Sequence, residues 1–193
     1  MDDLRNDLAA AQARNRLNNW VAVSVALLSA FMAVTKVKDD NIVQAMLQAK
    51  SDAVDTWNEY QSKKLKHHLA ELGLKQTEAL RTLAPVKGEV VLAAQAGEYQ
   101  ATINRYQGEE EVLMKKARGL EKSYDDLNRR DDQFDLSDAC LSISLALLAV
   151  TSLTGNRRLF AFSWAFAGFG VVMGVAGLAG FSLHPDWLTR LLS

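Results

Sequence analysis

The feature that most constrains this sequence is a run of 25 residues, Leu159 to Leu183, that contains no charged side chain. A helix needs about 20 apolar residues to cross the hydrocarbon core of a bilayer, so this run is long enough to span a membrane. Two shorter apolar blocks, Trp20 to Val34 and Ala139 to Leu153, lie earlier in the chain. Flanking residues extend both blocks to membrane length. The sequence therefore predicts transmembrane helices at residues 17–37, 136–154 and 159–183.

Charge is concentrated between the first two apolar blocks. Residues 36–137 contain 16 Lys and Arg and 18 Asp and Glu, and the whole chain has a formal net charge of −1. A nucleic-acid-binding surface needs a local excess of Lys and Arg, so no nucleic-acid partner is expected. The lipid bilayer is the partner that the apolar blocks predict.

The expected fold is all-α, with three transmembrane helices and a long antiparallel, coiled-coil-like helical hairpin between the first and the second. The hairpin occupies residues 38–135, and its second arm continues into the second transmembrane helix without a helix breaker. Its tip is placed at residues 84–88, because Pro85 lacks an amide hydrogen and Gly88 gives turn freedom. A short amphipathic segment at residues 1–19 and a tail at residues 184–193 complete the chain. A cleaved signal peptide is disfavoured, because the small residues near the end of the first block lack cleavage-site spacing.

Both arms of the hairpin have helical periodicity. In the first arm the apolar residues recur three or four positions apart, or at sums of these, and much of the stripe follows an eleven-residue repeat. Its members are Val43, Leu47, Val54, Trp57, Leu65, Leu69, Leu72, Leu80 and Leu83. In the second arm a seven-residue repeat is typical of a coiled coil. Its members are Leu92, Tyr99, Tyr106, Leu113, Leu120, Leu127 and Phe134, with Ala96, Ile103, Ala117 and Tyr124 in partner positions.

One charged residue in this heptad pattern, Glu110, predicts the register of the hairpin. Reversal of the chain about Val86 places Glu110 near Lys63, if both arms have the same helical rise. We therefore predict that Lys63 and Glu110 pair and set the register, as buried polar residues do in coiled coils. The alternative is that Glu110 simply faces water.

Two segments carry a resemblance to a known family. They are residues 53–66, with the sequence AVDTWNEYQSKKLK, and residues 99–106, with the sequence YQATINRY. Together with the basic turn at Arg157 and Arg158, they make the chain resemble the bacterial membrane proteins grouped as domain of unknown function 4337. The resemblance covers nearly the whole chain, and its most specific part is the Trp-x-x-Tyr-Gln-x-Lys core that begins at Trp57. It implies a multi-pass protein of the bacterial inner membrane and implies no activity.

Basic residues beside the apolar blocks predict the sidedness of the chain. Four of them flank short segments, which by the positive-inside rule places the amino terminus in the cytoplasm and the hairpin in the periplasm. These four are Arg14, Arg16, Arg157 and Arg158. Four others, at the membrane end of the hairpin, favour the reverse: Lys36, Lys38, Arg129 and Arg130.

No catalytic, cofactor-binding or metal-binding residue is predicted. His67 and His68 with Glu71 fall short of the three or four ligands that a closed metal site needs. The only other histidine, His184, lies at the far membrane edge, so no Ser/His/Asp arrangement is credible. The protein is therefore not expected to be an enzyme.

The candidate interaction residues lie in two places. Trp57 and Tyr60 are three positions apart and are interpreted either as a recognition patch or as packing between the two arms. In the last apolar block, Gly170, Gly174 and Gly177 share a face on which a second helix could approach closely. The chain's own first two transmembrane helices could fill that face equally well.

The function predicted from these features is that of a non-enzymatic membrane scaffold or accessory subunit. It would act through hairpin and transmembrane packing, as a homo-oligomer or as part of a larger membrane complex. An oligomeric pore is the alternative, with a lining of Ser142, Ser144, Thr151 and Ser152. An insertase-like protein is a weaker alternative, because the intramembrane charges expected of such a protein are missing.

Overall fold

A computed structural model describes residues 2–83 and 86–181, which form three helices and no strand. The helices are α1 (Asp2–Arg81), α2 (Val86–Thr154) and α3 (Arg157–Ala179). The predicted all-α class is confirmed. The predicted tail at residues 184–193 lies outside the described residues, as do Ala84 and Pro85 of the predicted tip.

Each of the three helices includes a stretch that is long and apolar enough to cross a membrane. The amino-terminal segment, the first apolar block and the first charged arm are all parts of α1, since no proline interrupts residues 2–81. In the same way α2 includes the second charged arm and the second apolar block. The sequence had predicted this continuity for α2.

A two-residue turn connects α2 to α3. Gly155 adopts a positive φ of 67°, a conformation that glycine reaches without steric cost. Asn156 then caps α3, because its side chain accepts a hydrogen bond of 2.9 Å from the backbone amide of Arg158. The basic turn thus lies where the sequence predicted it.

The chain divides into two compact units. The first, called here the three-helix unit, combines residues 1–45 with residues 126–193 and is described as far as residue 181. Its core contains residues of all three helices: Val21, Leu28, Leu141, Leu148 and Ala167. The second, called the two-helix unit, is Met46–Asp125.

In the two-helix unit, α1 and α2 contact each other in antiparallel order. As the contacts on α1 advance from Lys50 to Gly73, those on α2 move back from Tyr124 to Tyr99. The heptad of α2 faces α1, with Ala96, Ile103 and Ala117 buried and the other members within the unit half-buried. The side of α1 that faces this heptad has small residues at its buried positions. Its buried members are Ala49, Ala53, Thr56, Ala70 and Thr77.

The apolar stripe of α1 lies on a different face from these small residues. Seven of its members, all in the two-helix unit, have more than half of their surface exposed: Leu47, Val54, Leu65, Leu69, Leu72, Leu80 and Leu83. Trp57, by contrast, is half-buried. Two helices bury only the narrow seam between them. Helix α1 therefore has one face against α2 and a second apolar face that the described residues leave uncovered.

Candidate interaction surface

The seam between α1 and α2 contains the ion pair that the sequence predicted for Lys63, but with a different partner. Lys63 Nζ lies 2.6 Å from Oε2 of Glu109, not of Glu110. The hydrogen bond raises the pKa of Lys63 and lowers the pKa of Glu109. The predicted pairing with Glu110 was wrong by one residue. An estimate that assumes equal helical rise in both arms does not resolve which of two adjacent side chains points toward Lys63.

Glu110 instead pairs with His67, one helical turn beyond Lys63. His67 Nδ1 and Glu110 Oε1 are 2.7 Å apart, and only 14% and 15% of these side chains are exposed. Glu110 therefore does not face water either. The apolar pattern of the sequence did not predict this role of His67, because the inward positions of α1 carry Ala, Thr, Lys and His.

Trp57 and Tyr60 also lie at this seam. Their rings form an edge-to-face pair with centroids 5.4 Å apart. The indole N–H of Trp57 donates a hydrogen bond of 2.8 Å to Glu121 on α2. Because this donor already has a partner within the chain, the geometry favours the packing interpretation of Trp57 over the recognition patch.

The exposed side of α1 has a composition that differs from the rest of the helix. Eight exposed residues spaced three or four apart form a surface that we call the outer face: Val54, Asn58, Gln61, Leu65, Leu69, Leu72, Gln76 and Leu80. Five are apolar and three are amides. Residues 52–80 contain nine charged residues, and none of them belongs to the outer face. Such a surface is unusual on a helix rich in Lys and Glu, and it is the main candidate for contact with a partner.

The predicted glycine face of α3 is covered by the chain itself. A methyl group added at Gly174 would lie 2.7 Å from Ser137 Oγ and 2.9 Å from the ring of Phe31. Gly170 approaches Leu141 in the same way, and Gly177 approaches Phe134. Of the two interpretations of this face, the structure supports packing on α1 and α2.

A family model described as Domain of unknown function (DUF4337) matches residues 17–180. The chain belongs to this family. The match includes the outer face, the seam and the glycine face of the DUF4337 chain, so all three fall within the part that defines the family. No curated protein and no solved structure matches the chain. The family description names no activity.

Buried hydroxyl groups join α2 to α3 in the DUF4337 chain. Ser137 Oγ donates to the carbonyl of Gly170 at 2.7 Å, and Ser144 Oγ donates to that of Ser163 at 2.9 Å. Both serines are completely buried, as is Thr151, which bonds the carbonyl of Leu147. Two of the four residues predicted to line a pore, Ser144 and Thr151, thus face the interior of the three-helix unit.

Two side chains of α2 bind the carboxyl end of α3. Arg130 donates to the carbonyl of Gly177 at 3.0 Å, and Gln133 donates to that of Phe181 at 2.8 Å. The last carbonyls of a helix lack partners within it and carry partial negative charge, so a cation placed there is stabilising. At the opposite end of the unit, Arg14 donates to the carbonyl of Leu153 on α2.

A carboxyl pair, formed by Asp39 of α1 and Asp131 of α2, lies in the three-helix unit. Asp39 is 3% exposed, and one of its oxygens bonds Lys36 at 2.9 Å. Burial, a hydrogen bond to Asp39 and the charge of Asp135 raise the pKa of Asp131 from its ordinary 3.8 to about 6. Burial and the charge of Asp39 also raise the pKa of Asp135. Within residues 2–83 and 86–181, no group of three His, Cys, Asp or Glu is placed to hold a metal ion.

Proposed function

We propose that this DUF4337 chain is a non-enzymatic, multi-pass protein of the bacterial inner membrane that acts as a scaffold or accessory subunit. In this proposal the apolar parts of α1, α2 and α3 cross the bilayer, and residues 38–135 form an antiparallel hairpin in the periplasm. The outer face of α1 is the site at which the hairpin binds its partner, either another copy or a subunit of a larger membrane complex.

The observation that carries the proposal is the exposure of apolar side chains in the charged part of the chain. Leu65, Leu69 and Leu72 are each more than half exposed, in a part of the sequence too rich in charge to be covered by lipid. Exposure of contiguous apolar surface to water is unfavourable. Burial of this surface lowers the free energy by about 25 cal/mol for each Å². Binding to another protein surface removes that cost.

Internal packing of the glycine face and the buried hydroxyls supports an anchoring role for the three-helix unit. Ser137 and Ser144 donate hydrogen bonds to backbone carbonyls of α3, and Gly170 and Gly174 allow close approach of the helices. In a bilayer, such small residues and interhelical hydrogen bonds hold helices together. The unit thus has the features of a self-contained anchor, and the proposed contact with a partner is assigned to the hairpin.

Native purification tests the proposed function. The protein is extracted from membranes in a mild detergent, its mass is measured by native mass spectrometry, and co-purifying proteins are identified. We expect a mass that exceeds one chain, from additional copies or from another membrane protein. A solitary monomer at the concentration found in cells would contradict the scaffold role.

The sidedness of the hairpin is tested by the accessibility of a single cysteine. Cys140, the only cysteine of the chain, is replaced by serine, and Lys87→Cys is introduced at the predicted tip. We expect a membrane-impermeant maleimide to label Lys87→Cys in intact cells. Labelling only after the cells are broken would place the hairpin in the cytoplasm.

A further inference from the structure

We propose that the outer face binds the outer face of a second copy of this chain, with the two α1 helices parallel and in register. The inference rests on the proposed function, because anchors inserted with the same orientation in one bilayer present α1 in the same direction. It specifies the partner, its orientation and its register, which the proposed function leaves open.

The periodicity of the outer face favours a helical partner with the same repeat. Its eight members, from Val54 to Leu80, follow one another at spacings of four, three, four, four, three, four and four. These spacings repeat every eleven residues, or 3.67 residues per turn, and a helix with this repeat winds only slightly to the right around its partner. A partner helix keeps contact along all of a surface roughly 40 Å long only if its own contact residues drift at the same rate. A second copy of α1 meets that condition, because its contact residues have the same eleven-residue repeat.

The polar residues of the outer face favour a second copy over a different protein. They are Asn58, Gln61 and Gln76, and each is exposed. An amide side chain both donates and accepts hydrogen bonds, so two identical amides that face each other satisfy one another. Lys or Glu in these positions would face a like charge in a parallel, in-register pair. The outer face contains the polar residues that self-pairing tolerates, although charged residues are common elsewhere on α1.

The position of the amides also specifies the register. A buried Asn in a coiled-coil seam fixes alignment and orientation, because a shifted register leaves its amide facing an apolar residue. Asn58 and Gln61 lie between Val54 and Leu65, and Gln76 lies between Leu72 and Leu80. This unequal spacing permits one parallel alignment in which all three amides meet amides.

Disulfide cross-linking tests the orientation and the register together. In a Cys140→Ser background, Leu65→Cys is placed at the middle of the outer face, and membranes that contain the full chain are treated with a mild oxidant. A disulfide needs Cα atoms about 4.4–6.8 Å apart, a distance that facing residues of a parallel, in-register pair can reach. We expect Leu65→Cys to give at least a tenfold higher fraction of cross-linked dimer than Lys75→Cys. Lys75 is an exposed residue of α1 outside the outer face and provides the matched control.

A second variant pair tests the surface independently of cysteine chemistry. Leu65→Asp combined with Leu72→Asp brings like charges together across the proposed interface, and we expect the native mass to fall from dimer to monomer. Lys66→Asp combined with Lys75→Asp changes charge elsewhere on α1 and is expected to leave the dimer intact. Circular dichroism verifies that both variants keep the helical content of the parent.

The outcomes separate this inference from the proposed function. Equal cross-linking of Leu65→Cys and Lys75→Cys, in a protein that purifies with a different subunit, would overturn the second-copy partner and leave the scaffold role intact. A monomeric parent without cross-links would overturn both. A dimer that persists in the Leu65→Asp, Leu72→Asp variant would place the interface between copies on another surface.

Discussion

In the three-helix unit the side chains of Ser137, Leu141 and Leu148 are completely buried, whereas in the two-helix unit five of the six leucines of α1 are more than half exposed. The cause is the number of helices that enclose each segment. Three helices surround a central space, in which glycines and serines allow close contact. Two helices share only a seam, and that seam is filled by small residues of α1 against larger residues of α2. The comparison teaches that an apolar stripe on a long helix need not face the helix that follows it in the chain.

The comparison is tested most severely by Gly170→Leu in the three-helix unit. A Cβ at Gly170 already meets Leu141 at 3.0 Å and the backbone carbonyl of Ser137 at 3.1 Å, so a larger side chain forces the helices apart. We expect a loss of about 3 kcal/mol in the free energy of unfolding, at the upper end of overpacking effects. Thermal unfolding in detergent, followed by circular dichroism, measures it. Gly168→Leu is the matched control, because a Cβ there meets nothing within 4 Å; equal losses in the two variants would contradict the close packing of Gly170.

Overpacking of the seam of the two-helix unit is expected to cost less. Ala117 is completely buried on the inner face of α2, and Ala117→Leu is predicted to lower the free energy of unfolding by about 2 kcal/mol. Its exposed neighbour Lys116 provides the control, since Lys116→Leu changes stability by about 0.5 kcal/mol or less. Thermal melts of both variants make the comparison. A seam that accepts Ala117→Leu without loss would not be closely packed.

Removal of one partner from the His67–Glu110 pair gives the next largest effect. Glu110→Leu leaves the partly buried imidazole of His67 without this partner, at a predicted cost of about 1.5 kcal/mol. Replacement of both residues by leucine removes the unsatisfied group, so the double variant is expected to recover most of the loss. Urea unfolding of the two single variants and the double variant measures the coupling between the two residues. Losses that simply add would show that the pair contributes nothing.

The smallest predicted effect concerns pH and the carboxyl pair of the three-helix unit. Because the pKa of Asp131 is raised to about 6 in the folded chain, the folded state holds its proton more tightly than the unfolded state does. The stability from this group is complete below about pH 4 and is lost as the pH rises through 6. Asp131→Asn cannot ionise, so at pH 7.5 its Tm is expected to exceed that of the parent by about 2 °C. Melts between pH 4 and 7.5 test this, and a difference between variant and parent that does not change with pH would contradict the shift.

The sequence alone was sufficient to predict the helical class, the three apolar stretches, the basic turn at Arg157 and Arg158, and the heptad of α2. These features depend on local chemistry: the length of an uncharged run, the conformational freedom of glycine, and the seven-residue repeat of large side chains. The family membership was also evident from the sequence, from the Trp-x-x-Tyr-Gln-x-Lys core. Each of these features is read from residues close together in the chain.

The faces on which the helices meet depend on how the helices pack and could not be predicted from the sequence. The inward face of α1 consists of Ala, Thr, Lys and His, so a search for apolar periodicity identified its outer face instead. Lys63 pairs with Glu109 and not with Glu110, and His67 pairs with Glu110. Both pairings depend on side-chain directions across two helices. The physical reason is that burial depends on the shape and number of the neighbouring helices as well as on the polarity of a residue. A small or polar residue opposite a tyrosine is buried, and a leucine with nothing opposite it remains exposed.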